Sequence, residues 1–265
     1  MGVGLDEEVR THQSGSAIGQ AHTEGQCALV PPAIGKEEPM SVIAMDVQGA
    51  PVEGYLAVPE SGSGPGVLVI QEWWGLVPHI KSVVERLADA GFVAMAVDHY
   101  RGVETSEPDE AKKLMMGMNI AAVAADIAAG ADYLLSRDDV TGESVGSIGF
   151  CMGGGLSLLA PTVGAISAAV AFYPAMPWPD YHPEWNNYNK KAALIHKAES
   201  DEPHAGPRIT EYADAIRAAG GEVAVLEYPG SEHAFFNDDR PEVFHPEYAA
   251  IAWQRSVEFF SARLR

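Results

Sequence analysis

From Val42 onward, short runs of β-branched and other apolar residues alternate with longer stretches in which apolar side chains recur every three or four positions. Val67–Ile70 is continuously apolar and too short for a helix, which predicts a strand buried on both faces. Ile80, Val83, Val84 and Leu87 share one helical face, and Gly91 stands where that helix should end. Phe92–Val97 predicts the next strand, and Val123 and Ile127 carry a helical stripe between Ile120 and Leu134. Val145–Phe150, Ala168–Phe172 and Ala192–His196 predict three more strands. Ile209, Tyr212 and Ile216 fall on a helix closed by Gly220 and Gly221, Val223–Tyr228 is a last strand, and Trp253, Val257 and Phe260 mark a closing helix. This alternation predicts an α/β protein with a mostly parallel central sheet, helices on both faces, and ligands at the carboxyl ends of the strands.

Residues 1–40 show neither period. They are rich in Gly, Ser, Gln and Glu, end among Pro31, Pro32 and Pro39, and predict an N-terminal extension, flexible or packed on the surface, before a single domain over residues 41–265. Hydrophobic residues form 47% of the chain and charged residues 20%, which is enough apolar surface for a core without covalent staples. Lys and Arg number 17 against 37 Asp and Glu, a formal charge of −20. Such a field repels phosphate backbones and anionic bilayers, so neither nucleic acid nor membrane is an expected partner. A solvated acidic surface, as a high-salt habitat favours, accounts for the charge without a binding role. Two cysteines, Cys27 and Cys151, imply no disulfide framework, and Asp6, Glu7, Glu8 and Arg10 stand where a secretory signal would be apolar. A cytoplasmic location is expected.

Cys151 then needs its own explanation. Gly149-Phe150-Cys151-Met152-Gly153 joins a buried strand directly to a helix containing Leu156, Leu158 and Leu159. A strand-to-helix turn this sharp strains its central residue, and it has room only if the residues two before and two after lack side chains. The turn lifts residue 151 above the sheet edge and sets it at a helix N-terminus, where a thiolate is favoured. The alternative is a Gly-rich turn around an inert core cysteine. A thiol nucleophile needs a base, and the base needs an orienting acceptor. Asp201 follows the strand ending at His196, and His233 follows the strand ending at Tyr228, so both lie in loops at the expected sheet edge in the chain order Cys, Asp, His. His79, His99, His196, His204 and His245 occupy positions that structural roles explain at least as well.

With these, Gln71-Glu72-Trp73-Trp74-Gly75, Asp98-His99-Tyr100 and His233-Ala234-Phe235 make the chain similar, over roughly residues 41–265, to the dienelactone hydrolase (carboxymethylenebutenolidase-like) family. The resemblance implies the α/β-hydrolase fold and cleavage of a small-molecule ester or lactone through Cys151, His233 and Asp201, with no metal or organic cofactor. It also implies that Glu72 is a fourth participant, close enough to hydrogen-bond the resting thiol; otherwise Glu72 is a solvated loop carboxylate. The N–H groups of Met152 and Trp73 follow strand ends facing one crevice and are candidates for an oxyanion hole. Substrate recognition departs from the family. There, an arginine lies two residues past the Tyr of the Asp-x-Tyr strand end and another shortly after the histidine; here Arg101 follows Tyr100 at once, and Arg240 comes only after Phe235-Phe236-Asn237-Asp238-Asp239. Trp74, Tyr100, Arg101 and Tyr173 are the candidate substrate contacts, with Trp73 and Trp178 as candidate pocket walls. Arg101 is equally well explained as the partner of a surplus acid, and the aromatics as packing residues. Two further readings stay open: a broader aryl, short-chain ester or thioester hydrolase, and a non-catalytic binding protein on the same fold.

Overall fold

The computed structural model describes residues 40–179, 181–202 and 205–264. Apart from Met40, the expected N-terminal extension lies outside them. The first two elements are a hairpin that the apolar pattern left unassigned. β1 (Met40–Val47) and β2 (Ala50–Ala57) pair antiparallel. In β1, Ile43, Met45 and Val47 face inward and their neighbours outward. Gln48 and Gly49 connect the strands with φ of 55° and 85°, a two-residue turn whose twist suits a hairpin.

Six mutually parallel strands follow: β3 (Gly64–Ile70), β4 (Val93–Val97), β5 (Val140–Phe150), β6 (Ile166–Phe172), β7 (Ala192–Ala198) and β8 (Glu222–Tyr228). The sheet order is β1-β2-β4-β3-β5-β6-β7-β8. The helices are α1 (Pro78–Asp89), α2 (Pro108–Met116), α3 (Ile120–Leu135), α4 (Met152–Leu159), α5 (Gly206–Ala218) and α6 (Pro246–Arg263). Every expected strand and helix is present in this mostly parallel, doubly covered sheet. Successive residues of β3 serve opposite faces: Val67 and Val69 pack with α1 and α6, Leu68 and Ile70 with α3 and α4. Burial on both sides is why the strand is continuously apolar. No single helix among the described residues is long and apolar enough to cross a membrane.

The closing helix differs in one respect from its expected face. α6 buries Ala249, Ala252, Ser256 and Phe260, whereas Trp253 and Val257 only flank the core. Phe150, Phe172, Phe235 and Phe236 already fill that layer, so small side chains let the helix approach, and the Trp253 ring lies 4.3 Å from the Arg86 guanidinium.

His196, at the end of β7, shows how the strands and α6 are locked. Ser256 donates to the Ala252 carbonyl at 2.7 Å, so its oxygen accepts from His196 Nε2 at 3.0 Å. Nδ1 then accepts from the Tyr228 hydroxyl at 2.8 Å. The imidazole is fully buried, and burial, helped by the Arg255 charge, pushes it down from 6.5 to about 3. A lowered histidine contributes stability that is complete above 6.5 and is lost as pH falls toward 3, because the unfolded chain takes up a proton that the folded one refuses. His196→Ala should cost about 2–4 kcal/mol by stranding two buried hydroxyls. The stability of His196→Gln in urea should fall less steeply than that of the wild type between pH 6.5 and 3. Equal slopes would show that His196 titrates normally in the fold.

Candidate active site

β5 ends at Phe150, and α4 begins at Met152. Cys151 alone makes the turn, with φ 53° and ψ −116°, a conformation costing on the order of 1–3 kcal/mol that persists only where its surroundings enforce it. They do so here through backbone contact. A β-carbon on Gly149 would lie 1.9 Å from the Gly153 carbonyl oxygen, and one on Gly153 would lie 2.3 Å from that of Ile70. The second contact presses the start of α4 against the end of β3, which brings Met152 beside the segment that leads into Trp73. The Cys151 N–H donates to the Phe172 carbonyl at 3.1 Å, and its carbonyl accepts from Ala175 at 2.9 Å, so β6 holds the turn from the other side. The N–H groups of Met152 and Trp73 donate to no described backbone carbonyl outside regular elements.

The loops after β7 and β8 bring Asp201 and His233 to the thiol. They are laced together by residues whose role the apolar pattern did not reveal. The Ser200 N–H donates to the Ser231 carbonyl at 3.1 Å, Ser231 Oγ donates to the Tyr228 carbonyl at 2.6 Å, and Ser200 Oγ accepts from the His233 N–H at 2.9 Å. Against this frame His233 Nδ1 lies 2.8 Å from Asp201 Oδ1, which leaves Nε2 for Cys151. Burial works against a charge on the imidazole. Its electrostatic interaction with Cys151, hydrogen bonds to Asp201 and Cys151 and the Asp201 charge outweigh it and hold His233 well above the usual histidine range. Cys151, His233 and Asp201, expected together from chain order, meet in one place.

Glu72 is buried, 2% exposed, and is not the solvated loop carboxylate that was the plainer alternative. The resemblance implied that it lies within hydrogen-bonding reach of the thiol; the hydrogen bonds it makes among the described residues are to two other side chains. Its oxygens accept from the Tyr173 hydroxyl at 3.5 Å and from Asn237 Nδ2 at 3.0 Å. This also corrects Tyr173, expected among the substrate contacts. It is fully buried, with φ 36° at the end of β6 and its hydroxyl turned to Glu72. Burial and the neighbouring Glu72 and Cys151 charges push its phenol well above the usual range, so it acts as a donor.

Arg101 takes the ion-pair alternative. Its guanidinium meets Asp126 on α3 at 2.8 Å and the Asp98 carbonyl at 2.9 Å, because the left-handed turn at Arg101, φ 55°, leads it back over its own strand end. Arg240 pairs with Glu242 at the surface. Tyr100 stays near the thiol, with its hydroxyl 3.4 Å from Met152 Sδ. Trp74 packs edge-on to Trp73, ring centroids 4.8 Å apart. Trp73, Met115, Met118 and Trp178 pack with Cys151 on one apolar cluster, and Trp178 Nε1 donates to the Met115 carbonyl at 3.0 Å. A cleft of about 390 Å³ runs past His233 and Asp201, walled by Pro174, Met176, Ile209 and Tyr212, with Arg208 in its lining. Arg208 lies on α5, seven residues beyond Asp201, and only the folding of that helix back over the sheet edge brings it here.

The model of the dienelactone hydrolase family matches residues 52–264. Protein usf of Aquifex pyrophilus is 36% identical over 232 residues, covering 84% of this chain and 98% of that protein. A protein of Aquifex aeolicus (strain VF5) that carries the provisional name carboxymethylenebutenolidase is 33% identical over 233 residues, 84% of this chain and 99% of its own. A solved structure from Klebsiella pneumoniae subsp. pneumoniae MGH 78578, provisionally named a dienelactone hydrolase, superposes with a TM-score of 0.73 at 26% identity, over 84% of this chain and 99% of that one. With its elbow, its sheet order and these likenesses, the chain belongs to the dienelactone hydrolase family and is a carboxylic ester hydrolase.

Proposed function

We propose that the enzyme cleaves a small ester or lactone by covalent catalysis through Cys151, with residues 41–265 as the catalytic domain and residues 1–40 as an extension. What supports this above all is the pairing of a cysteine held at φ 53° in a side-chain-free turn with a histidine whose far nitrogen is tied to Asp201 at 2.8 Å. That tie sets the tautomer and aims the other nitrogen at the thiol. Cys151 Sγ attacks the acyl carbonyl while its proton resides on His233. The Met152 and Trp73 N–H groups, at the start of a helix and at a strand end, stabilise the oxyanion of the tetrahedral intermediate. Collapse breaks the bond to the alcohol oxygen, which takes the proton from His233 and leaves a thioester on Cys151. Water, deprotonated by His233, then releases the acid and restores the thiol.

Because the departing oxygen must reach His233, the alcohol half belongs in the cleft beside that residue, where Arg208 is in the lining. The acyl half faces the wall of Trp73, Met115, Met118 and Trp178. An activated aryl acetate mixed with the enzyme and quenched within the first turnovers is expected to leave an acetyl group on the Cys151 peptide, and aryl esters, thioesters and lactones compared in turnover define the range. Hydrolysis with no acyl group ever found on Cys151 would remove the covalent route.

A further inference from the structure

Glu72 is engaged by two separate loops, and neither contact is with a reacting atom. Asn237, the partner of Glu72 Oε2 at 3.0 Å, is itself 2% exposed. Its amide is oriented from its own side, since Oδ1 accepts from the Asp239 N–H at 3.0 Å. With the oxygen committed, the NH2 group must face the carboxylate. The Asn237 N–H donates to the Ala234 carbonyl at 2.9 Å, and Ala234 holds φ 68°. The imidazole of His233 and the amide of Asn237 therefore ride on one compact turn. Glu72, for its part, immediately precedes Trp73, whose N–H is an oxyanion donor in the proposed reaction.

The bond between Glu72 and Asn237 thus joins the loop of the base to the loop of the oxyanion donor, in a site where each carries only one partner of the chemistry. Tyr173 adds a third element, the end of β6, through its hydroxyl at 3.5 Å. No hydrogen bond or ion pair joins a cation to Glu72 among the described residues; its oxygens are met by neutral donors alone. An aspartate at 237, isosteric with asparagine, would present an acceptor to an acceptor, so the pair requires this polarity.

We infer that Asn237 is a positioning residue: through Glu72 it sets the separation between the His233 imidazole and the Trp73 N–H. The inference rests on the ester-hydrolase reading of the site. A displacement near 1 Å at a reacting group costs on the order of 100-fold in rate, and that scale is what the bond between Asn237 and Glu72 should control.

The test is a complementary exchange. Asn237→Asp should lower kcat on an aryl acetate by roughly 100-fold, with KM changed less than about threefold. Glu72→Gln alone should be milder, because its amide can still accept from Asn237. The double variant Glu72→Gln, Asn237→Asp restores one donor facing one acceptor, with the carbonyl oxygen of Gln still facing Tyr173. Its kcat should return to within about fivefold of Glu72→Gln, a coupling that adjacent residues show and independent ones do not. Additive losses in the double variant would overturn the inference. Should Asn237→Asp fail to fold, Asn237→Ala, which removes the donor without adding charge, decides: wild-type kcat in a folded Asn237→Ala protein would also overturn it. Wild type and Cys151→Ala are assayed in parallel. Turnover independent of Cys151 defeats the proposed function and this inference with it, whereas Cys151-dependent turnover with additive losses defeats the positioning role alone.

Discussion

Cys151→Ala is expected to reduce ester turnover by at least about three orders of magnitude, while the melting temperature stays within a few degrees of the wild type. The loss is chemical, because the alanine β-carbon can form no bond to the acyl group and the two N–H donors can only bind it. The fold should tolerate the change. Residue 151 is held at φ 53° by the backbone contacts of Gly149 and Gly153 with their neighbours, and alanine meets the same backbone restrictions as cysteine there. The residual rate should be what binding and the oxyanion donors supply without a nucleophile. Cys151→Ser keeps a nucleophilic atom of a far weaker acid in the same place, so its rate should lie between the two. Assay with an aryl acetate, beside thermal melting, gives both readouts. Near wild-type turnover from a folded Cys151→Ala protein would mean that the elbow carries an inert cysteine.

His233→Ala is expected to cost about as much, on the order of 10³–10⁴ in kcat, because residues that act as a unit fail together. Asp201→Asn should cost on the order of 10²–10⁴, through loss of the tautomer and aim that the 2.8 Å contact imposes. The two changes should also be far from additive, the double variant being little slower than His233→Ala. His233 carries a further, pH-dependent signature. Its raised folded value means that it contributes stability fully below 6.5, and that this contribution is lost only as pH rises through the folded value, well past neutrality. The gap in melting temperature between wild type and His233→Ala should therefore be widest at neutral pH and below and close in alkali. A gap that opened toward alkaline pH would reverse the sign of the interaction with Cys151 and Asp201.

How much of this was legible before folding depends on the range of the forces involved. Local pattern was enough for the strands buried on both faces, the helices between them and the elbow. Each rests on neighbours a few residues apart: apolar runs such as Val67–Ile70, stripes such as Ile80-Val83-Val84-Leu87, and glycines two positions either side of Cys151. Chain order also placed Asp201 and His233 at the right sheet edge, because parallel strands put every loop after a strand on the same side. Which loops face each other depended on the folded chain. The loop after β3 meets the end of β6 and the loop after β8, so Glu72 finds Tyr173 and Asn237. Folding turned Tyr173 from a substrate contact into a buried donor and gave Arg101 to Asp126, a residue on α3 whose side chain is almost wholly buried. It brought Arg208 into the cleft from a helix whose sequence shows only an apolar stripe. The hairpin of β1 and β2 also escaped the pattern, since Gln-Gly is a weak turn signal and its register depends on pairing β2 with β4. A polar side chain buried at a sheet edge must take whatever donor or acceptor convergence supplies, and that choice is made by residues as far apart in the chain as Glu72 and Asn237.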